Sequence, residues 1–362
     1  MADRASTRAR KAAVIGCGDV STVHFGALAT LPNVELVAVC DTDAGRADAA
    51  AAAYDVPAFA DHRELLSLIN PDIVHICTPH DTHARIAIDA LDAGVNVILE
   101  KPLADTIEAG RRVVAAAQRS SAKIAVCFQN RYNAPNQAAF RLLRSGTLGA
   151  ILGGSGTVIW HRTADYYADR PWRGQWASGG GGLLMNQAIH TLDLMQWLIG
   201  DVATARGGVA TRLLGDVIEV EDTADLILRH KNGARSVFYA TLANVVNDAA
   251  TIEIATEQAT LSLRGALTVR YSDGRVENVR ERETTTDGRD YWGVSHELLI
   301  RDFYGRLDDA APFWISPTEA QKTLKIIQDV YDQSIPDRLA SDSMNMNAMP
   351  SQRSMRRWVS RR

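Results

Sequence analysis

The chain lacks any apolar run long enough to cross a bilayer, has only four cysteines in 362 residues, and carries no large excess of either charge. Each shortage removes a class of protein. A membrane-spanning helix needs about 20 consecutive apolar residues, and the basic start, 1–11, has no apolar core of the kind a secretory signal needs. Cys17, Cys40, Cys77 and Cys127 form no C-x-x-C pair, which sets aside zinc ribbons and thioredoxin-like redox motifs. Each sits in or just after an apolar run and reads as a small buried thiol, so no metal site is expected. A net charge of −4 gives no general attraction to nucleic acid or membrane surfaces. What remains, 46% apolar and 23% charged residues, is the composition of an ordinary globular protein with length for two cores. A cytoplasmic location is the default expectation.

What is present starts with residues 12–41. The apolar run Ala12-Ala13-Val14-Ile15 breaks into Gly16-Cys17-Gly18-Asp19-Val20-Ser21, a helix-like segment follows, and a second apolar run, 34–40, ends at Asp41. Strand, glycine turn, helix and strand make a βαβ dinucleotide-binding unit. Gly16 permits the tight turn, Gly18 lets the backbone approach a pyrophosphate, and the helix opening near Val20 offers free N–H groups and a positive dipole end. The third small position is Ser21 rather than glycine. Asp41 would accept hydrogen bonds from a ribose 2′-hydroxyl and repel a 2′-phosphate, which favours NAD over NADP, with Arg46 the one nearby cation that argues the other way.

Apolar strands and helices alternate as far as residue 128: strands near 57–59, 73–77, 95–99 and 124–128, with helices at 44–53, 84–93 and on to about 120, and a polar turn at 78–83. This pattern predicts a parallel sheet covered on both faces. Ligands of such sheets bind beyond the carboxyl ends of the strands. That edge collects Gly16 to Val20, with Asp19 among them, then Asp41, Thr78, Pro79, His80, His83, Glu100, Lys101, Gln129 and Arg131.

Beyond residue 128 the pattern changes to long β-like runs at 151–160, 223–228, 236–243, 251–255 and 261–271, punctuated by turns at 231–233 and 272–274. The expected organisation is a dinucleotide-binding domain at 1–128 and an α+β domain on an open, mostly antiparallel sheet at 129–316. A helix at 317–335 is expected to pack back on the first domain. The tail, 336–362, has six Arg against two Asp and reads as disordered or as an oligomer arm.

In the second half, four glycines at 179–182 precede a helix on which Asn186, His190 and Asp193 stand at i, i+4 and i+7, along one face. Upstream lie Trp160, Arg162, Tyr166, Tyr167, Trp172 and Arg173. Aromatic rings and guanidinium groups suit sugars, whose C–H faces stack on rings while Arg162, Tyr167 and similar groups bond the hydroxyls.

With Gly16-x-Gly18, Thr78-Pro79 and His83, Glu100-Lys101-Pro102, and the run from Gly180 through Asn186 and His190 to Asp193, the sequence resembles the Gfo/Idh/MocA oxidoreductases over roughly 11–335. The resemblance implies a Rossmann domain followed by an open-faced sheet, assembly as homodimers or homotetramers, and NAD-dependent hydride transfer at a ring hydroxyl or ketone of a sugar, glycoside or cyclitol. It implies Lys101 as catalytic lysine and His190 as acid/base. Thr78, Pro79, His83 and Glu100 become cofactor contacts, and Trp172 and Arg173 the pair that reaches over the cofactor. Inositol dehydrogenase-like members carry Asp where this chain has Asn186, an amide that cannot offset imidazolium charge. Two competing functions stay open: an NAD-dependent glycosidase working by transient C3 oxidation and elimination, and a non-catalytic NAD-responsive regulator.

Overall fold

The structure, a computed structural model, describes residues 9–281 and 293–335; the basic tail expected to be disordered lies outside them. Six short strands build the first sheet: β1 (Arg10–Ile15), β2 (Val34–Cys40), β3 (Ala58–Phe59), β4 (Ile73–Ile76), β5 (Asn96–Leu99) and β6 (Ile124–Val126). They lie in the order β3-β2-β1-β4-β5-β6, every neighbour parallel. The order reverses between β1 and β4, the crevice where doubly wound sheets bind dinucleotides. Both faces are covered, which is why β4 is buried at every position and β1 at its last four.

Five helices cross between these strands: α1 (Ser21–Thr30), α2 (Ala44–Tyr54), α3 (His62–Ile69), α4 (His80–Asp92) and α5 (Ile107–Arg119). Asp43, Asp61 and Thr106 cap α2, α3 and α5 through their side chains. The helices that follow β1 and β4, α1 and α4, open at the crevice without a side-chain bond from the residue before them. Helix α4 starts four residues before the expected 84. Pro79 ends the extended segment after β4 and releases the helix at once, so His80 and His83 lie in its first turns rather than in a polar loop.

The second half opens with a 3-10 turn at Gln129–Tyr132 and α6 (Ala134–Arg144). Its sheet is made of β7 (Ile151–Ile159), β8 (Val202–Ala210), β9 (Thr223–His230), β10 (Arg235–Thr241), β11 (Thr251–Thr256), β12 (Ala259–Arg264), β13 (Ala266–Tyr271) and β14 (Val276–Val279). The order is β14-β13-β12-β11-β7-β10-β9-β8, antiparallel except for the pair β7 and β10. Between β7 and β8 run α7 (Ala164–Ala168), a 3-10 turn at Pro171–Gly174, α8 (Trp176–Gly179), α9 (Leu183–Asn186) and α10 (Ile189–Ile199). After β14 come α11 (Gly293–Gly305) and α12 (Pro317–Ser334). Alternating burial along β9, β10 and β11 marks one face packed and one open. On the packed side α10 lies close to the sheet because a Cβ on Gly156 of β7 would collide with the Met195 sulfur.

The second half differs from the sequence reading in several places. The run 261–271, read as one strand, is a hairpin: Gly265, at φ +71°, turns β12 back into β13. The helix expected to carry Asn186, His190 and Asp193 on one face is interrupted at Gln187 and Ala188, between α9 and α10. Strands β8 and β14 and helix α11 have no counterpart in the sequence reading, since the glycine pair of β8 and the charged, exposed β14 leave little apolar alternation.

The glycine run before α9 is held by Glu221. This buried carboxylate accepts the N–H groups of Gly182 and Leu184, each at 2.8 Å, and the Tyr331 hydroxyl of α12 at 2.7 Å. Gly180 and Gly181 have φ of +68° and +157°, and a Cβ on Gly182 would meet the Glu221 carbonyl. Gly182→Ala is therefore expected to lower unfolding free energy by about 2 kcal/mol, measured by urea denaturation; an unchanged midpoint would remove this close approach as the reason for the glycine.

Candidate functional site

At the end of β1, Gly16 has φ +93°, and a Cβ there would stand 2.6 Å from the Cys77 carbonyl at the end of β4, so only glycine fits. Gly18 is the opposite case. Nothing lies within 4 Å of a Cβ built on it, which leaves open space against its backbone. The turn is closed by the Ser21 N–H and hydroxyl, both donating to the Gly18 carbonyl at 3.1 and 2.6 Å. At the end of β2, Asp41 accepts the Cys17 N–H at 2.8 Å and the Asp43 N–H at 2.9 Å, with Arg46 at 3.4 Å. These bonds fix the carboxylate and leave lone pairs on both oxygens.

Asp19 of the glycine turn is paired with the second half. Arg170 reaches it at 2.9 Å and Arg173 at 3.5 Å. Arg173 also lies over the rings of Tyr166 (4.7 Å) and Trp172 (5.7 Å), and Trp172 meets His80 edge-on at 4.8 Å. His80 Nδ1 bonds the Gly179 carbonyl at 2.8 Å. His83 lies between the carbonyls of Pro102 (2.8 Å) and Thr78 (2.9 Å). Burial lowers the pKa of both rings. A neutral imidazole has one N–H, so His83 donates to one of these carbonyls at a time. Both histidines act as struts around the Thr78-Pro79 turn.

At the end of β5, the Lys101 ammonium donates to the Asn186 backbone carbonyl at 3.0 Å and its side-chain Oδ1 at 3.2 Å. Burial lowers the Lys101 pKa to about 8; Glu100 opposes that shift and Arg173 adds to it. His190, near the start of α10, is pushed down to about 3 by burial and then by the Lys101 charge. Its Nδ1 is buried without a partner among the described residues, as is Oε1 of Gln129 at the end of β6. Lys101, Asn186 and His190 thus gather where the two halves meet.

Three residues expected to bind substrate do something else. Arg131 and Asp193, each 1% exposed, form a two-pronged ion pair with both N···O distances 2.7 Å, extended by Glu319 at 3.1 Å and Thr323 at 3.1 Å. They clamp the turn after β6 to α10 and α12. The break after Asn186 rotates Asp193 away from the face that the i+7 spacing implied. Tyr167 is 4% exposed, and its hydroxyl is buried without a partner among the described residues. The hydroxyl that reaches the site belongs to Tyr166, which accepts the Gln187 amide at 3.1 Å and the Asn186 amide at 3.4 Å.

The sequence reading also passed over a buried network behind Lys101. Glu100 accepts His24 Nε2 (3.1 Å) and His296 Nε2 (3.0 Å) on one oxygen and the Lys101 N–H (3.3 Å) on the other. His24 Nδ1 meets His75 Nδ1 at 2.9 Å, and His75 Nε2 meets the Tyr304 hydroxyl at 3.0 Å. Burial alone would raise the Glu100 pKa, yet the bonds from His24 and His296 hold it well below the usual carboxylate range. Burial pushes His24 and His75 down. An ionised Glu100 and neutral rings allow one proton assignment. Tyr304 donates to His75, His75 to His24, and His24 to Glu100.

Residues 10–128 match the family model described as the Gfo/Idh/MocA oxidoreductase family, NAD-binding Rossmann fold, and residues 136–262 match the Gfo/Idh/MocA C-terminal domain. A D-apiose dehydrogenase of Paraburkholderia graminis is 33% identical over 228 residues, which are 63% of this chain and 59% of that protein. An inositol 2-dehydrogenase of Salmonella paratyphi B is 31% identical over 195 residues, 53% of this chain and 55% of that protein. The chain therefore spans between half and two thirds of the length of these curated relatives. The crystal structure of the WlbA dehydrogenase of Bordetella pertussis, in complex with NADH and UDP-GlcNAcA, superposes with a TM-score of 0.77 at 30% identity, covering 91% of this chain and 98% of that one.

Asp193→Asn removes half of a buried ion pair. It should cost about 3 kcal/mol of folding stability, seen as a lowered denaturation midpoint, while the folded fraction keeps its Michaelis constants. A raised Michaelis constant at unchanged stability would return Asp193 to the binding site.

Proposed function

The chain belongs to the Gfo/Idh/MocA oxidoreductase family, and from that membership we propose that it is an NAD-dependent dehydrogenase acting on a ring hydroxyl of a sugar, glycoside or cyclitol, or on the corresponding ketone. The observation that carries this reading is the Lys101 ammonium, pinned by Asn186 beside a neutral His190, at the carboxyl edge of the first sheet. Residues 1–128 would bind the dinucleotide and 129–316 the substrate. The relatives named above are dehydrogenases, which lends no support to the glycosidase or the sensor.

The residues fit a dinucleotide. Open space at Gly18 and the uncapped start of α1 suit a pyrophosphate, Asp41 suits a ribose diol, and the unpartnered Gln129 Oε1 suits a carboxamide N–H. NAD+ when bound supplies the hydride acceptor. Lys101, with its pKa near 8, exchanges a proton with the reacting oxygen close to neutral pH, where a matched acid or base works best. His190 is too weak a base to store that proton; it orients the substrate oxygen through its N–H. Asn186 fits this division, because a carboxylate in its place would stabilise the ammonium and raise the Lys101 pKa.

Activity in the oxidative direction should rise with pH through an inflection near 8, where Lys101 loses its proton. Asn186→Asp should move that inflection up by roughly one unit. Lys101→Met should cut turnover by about 10³-fold and still quench NADH fluorescence on binding. A pH profile indifferent to both substitutions would shift the acid/base role to another group.

Two further expectations belong to this reading. The four cysteines are unpaired thiols, which suits a reducing cytoplasm. The open face of the second sheet exposes Ile227 and Val237, directly paired across β9 and β10, together with Tyr239, at 44–53% of their surface, an apolar face that a second copy of the chain would cover. Light scattering of the wild type should give a multiple of the one-chain mass and Val237→Glu a smaller one; a wild-type monomer would end the oligomer proposal.

A further inference from the structure

We propose that the substrate carries an anionic group, a carboxylate or a phosphate, and that the guanidinium of Arg162 binds it. The inference rests on the dehydrogenase reading and sharpens its substrate class. Near the site, arginines come with carboxylates. Arg170 and Arg173 share Asp19, and Arg131 is held by Asp193 and Glu319. Arg162 alone among these has no acidic partner among the described residues. One of its nitrogens, NH1, donates to two neutral acceptors, the His161 carbonyl at 2.7 Å and Asn247 Oδ1 at 3.0 Å. Its charge lies over the rings of Trp160 and Tyr166, 5.2 Å from each centroid. The group is thus half-buried, immobilised and uncompensated, with its Nε and NH2 edge uncommitted among the described residues. That edge presents two parallel N–H donors, the geometry that grips a carboxylate or phosphate.

The position relative to the chemistry supports the same reading. Tyr166 stands between Arg162 and Lys101. Its ring carries the guanidinium, and its hydroxyl accepts the amides of Gln187 and Asn186, the latter's Oδ1 holding the Lys101 ammonium. With two amides already donating to that oxygen, the phenol proton is left to donate to a ligand. A sugar ring reacting at Lys101 would lie along Tyr166 and extend its charged arm towards Arg162. Neutral hydroxyls need no unit charge held ready. A carboxylate or phosphate pairs with such a charge directly.

The test uses the full chain with NAD+ and matched ligands: glucose, glucuronate and glucose 6-phosphate, then other sugars in neutral, carboxylated and phosphorylated forms. NADH formation and thermal stabilisation of the NADH complex are read in parallel. The expected result is a kcat/KM at least 30-fold higher for one anionic form than for its neutral partner, with a KM that rises with added salt. The carboxylated and phosphorylated arms say which anion is meant. Arg162→Gln should erase that preference through KM, and Arg162→Lys, which keeps the charge but not the fork, should restore part of it; unliganded melting temperatures equal to wild type show that both variants fold. Neutral sugars oxidised as well as their anionic partners, with the ratio unmoved in Arg162→Gln, would overturn the inference and leave the dehydrogenase intact. If no ligand is oxidised, stabilisation by an anionic sugar that vanishes in Arg162→Gln would sustain the anion site while removing the dehydrogenase reading. Absence of any such difference would overturn the anion site.

Discussion

A carboxylate buried at the end of a parallel strand has to be solvated by the protein itself, and Glu100 is that group here. Its oxygens take N–H bonds from His24 on α1, His296 on α11 and the backbone of Lys101. Removing it from water would otherwise force it neutral. Because it stays ionised, the helix after β1, strand β4 through His75, and α11 from the far end of the sequence are drawn to one point. That point is one residue from the ammonium whose pKa is tuned by the same burial. The backbone entering Lys101 is therefore fixed from behind, and its side chain is fixed from in front by Asn186.

The two halves of the molecule meet through bonds that surround the crevice as well as through the helices α11 and α12. Asp19 to Arg170 and Arg173, His80 to Gly179, and Lys101 to Asn186 each join a loop of the first sheet to a loop of the second half. Helix α12 adds a mechanical tie. Its Leu324 packs on Gly110 of α5, and its Tyr331 bonds Glu221 beneath the glycine run. The geometry between the loops of the first sheet and those of the second half is thus set by polar contacts around the crevice and by the helices α11 and α12 behind it.

Much of this was legible in the residues. The βαβ opening, the parallel sheet to 128, the switch to antiparallel strands, and the nearness of Lys101 to His190 follow from periodicity, glycine placement and the family resemblance, whereas the bond from Lys101 to Asn186 does not. What could not be read has physical reasons. Strand β8 carries two glycines and β14 is charged and exposed, so neither shows strong apolar alternation. Gly265 looks like any strand residue until its backbone is seen to be left-handed. Asp193 was assigned by a spacing that assumed an unbroken helix, and the break at Gln187 and Ala188 has no proline to announce it. His75 sits inside a buried apolar strand and His296 lies 196 residues from Glu100. Buried polar networks are assembled from distant elements, and no local pattern records them. Tyr166 and Tyr167 are neighbours in sequence, and only the turn of α7 decides which hydroxyl faces the amides of Asn186 and Gln187.

The chain from Tyr304 through His75 and His24 to Glu100 has a fixed polarity, every proton pointing towards the carboxylate. For a charge to travel along it, Tyr304 would have to give up its proton and become a phenolate where burial pushes its pKa well up. The row of rings looks like a wire, but its proton order runs one way, and burial at Tyr304 opposes the phenolate that a transfer along it would leave. What that order leaves behind Lys101 is a fixed negative charge, held by the bonds to Glu100 itself rather than by a proton passed from the far end of the network.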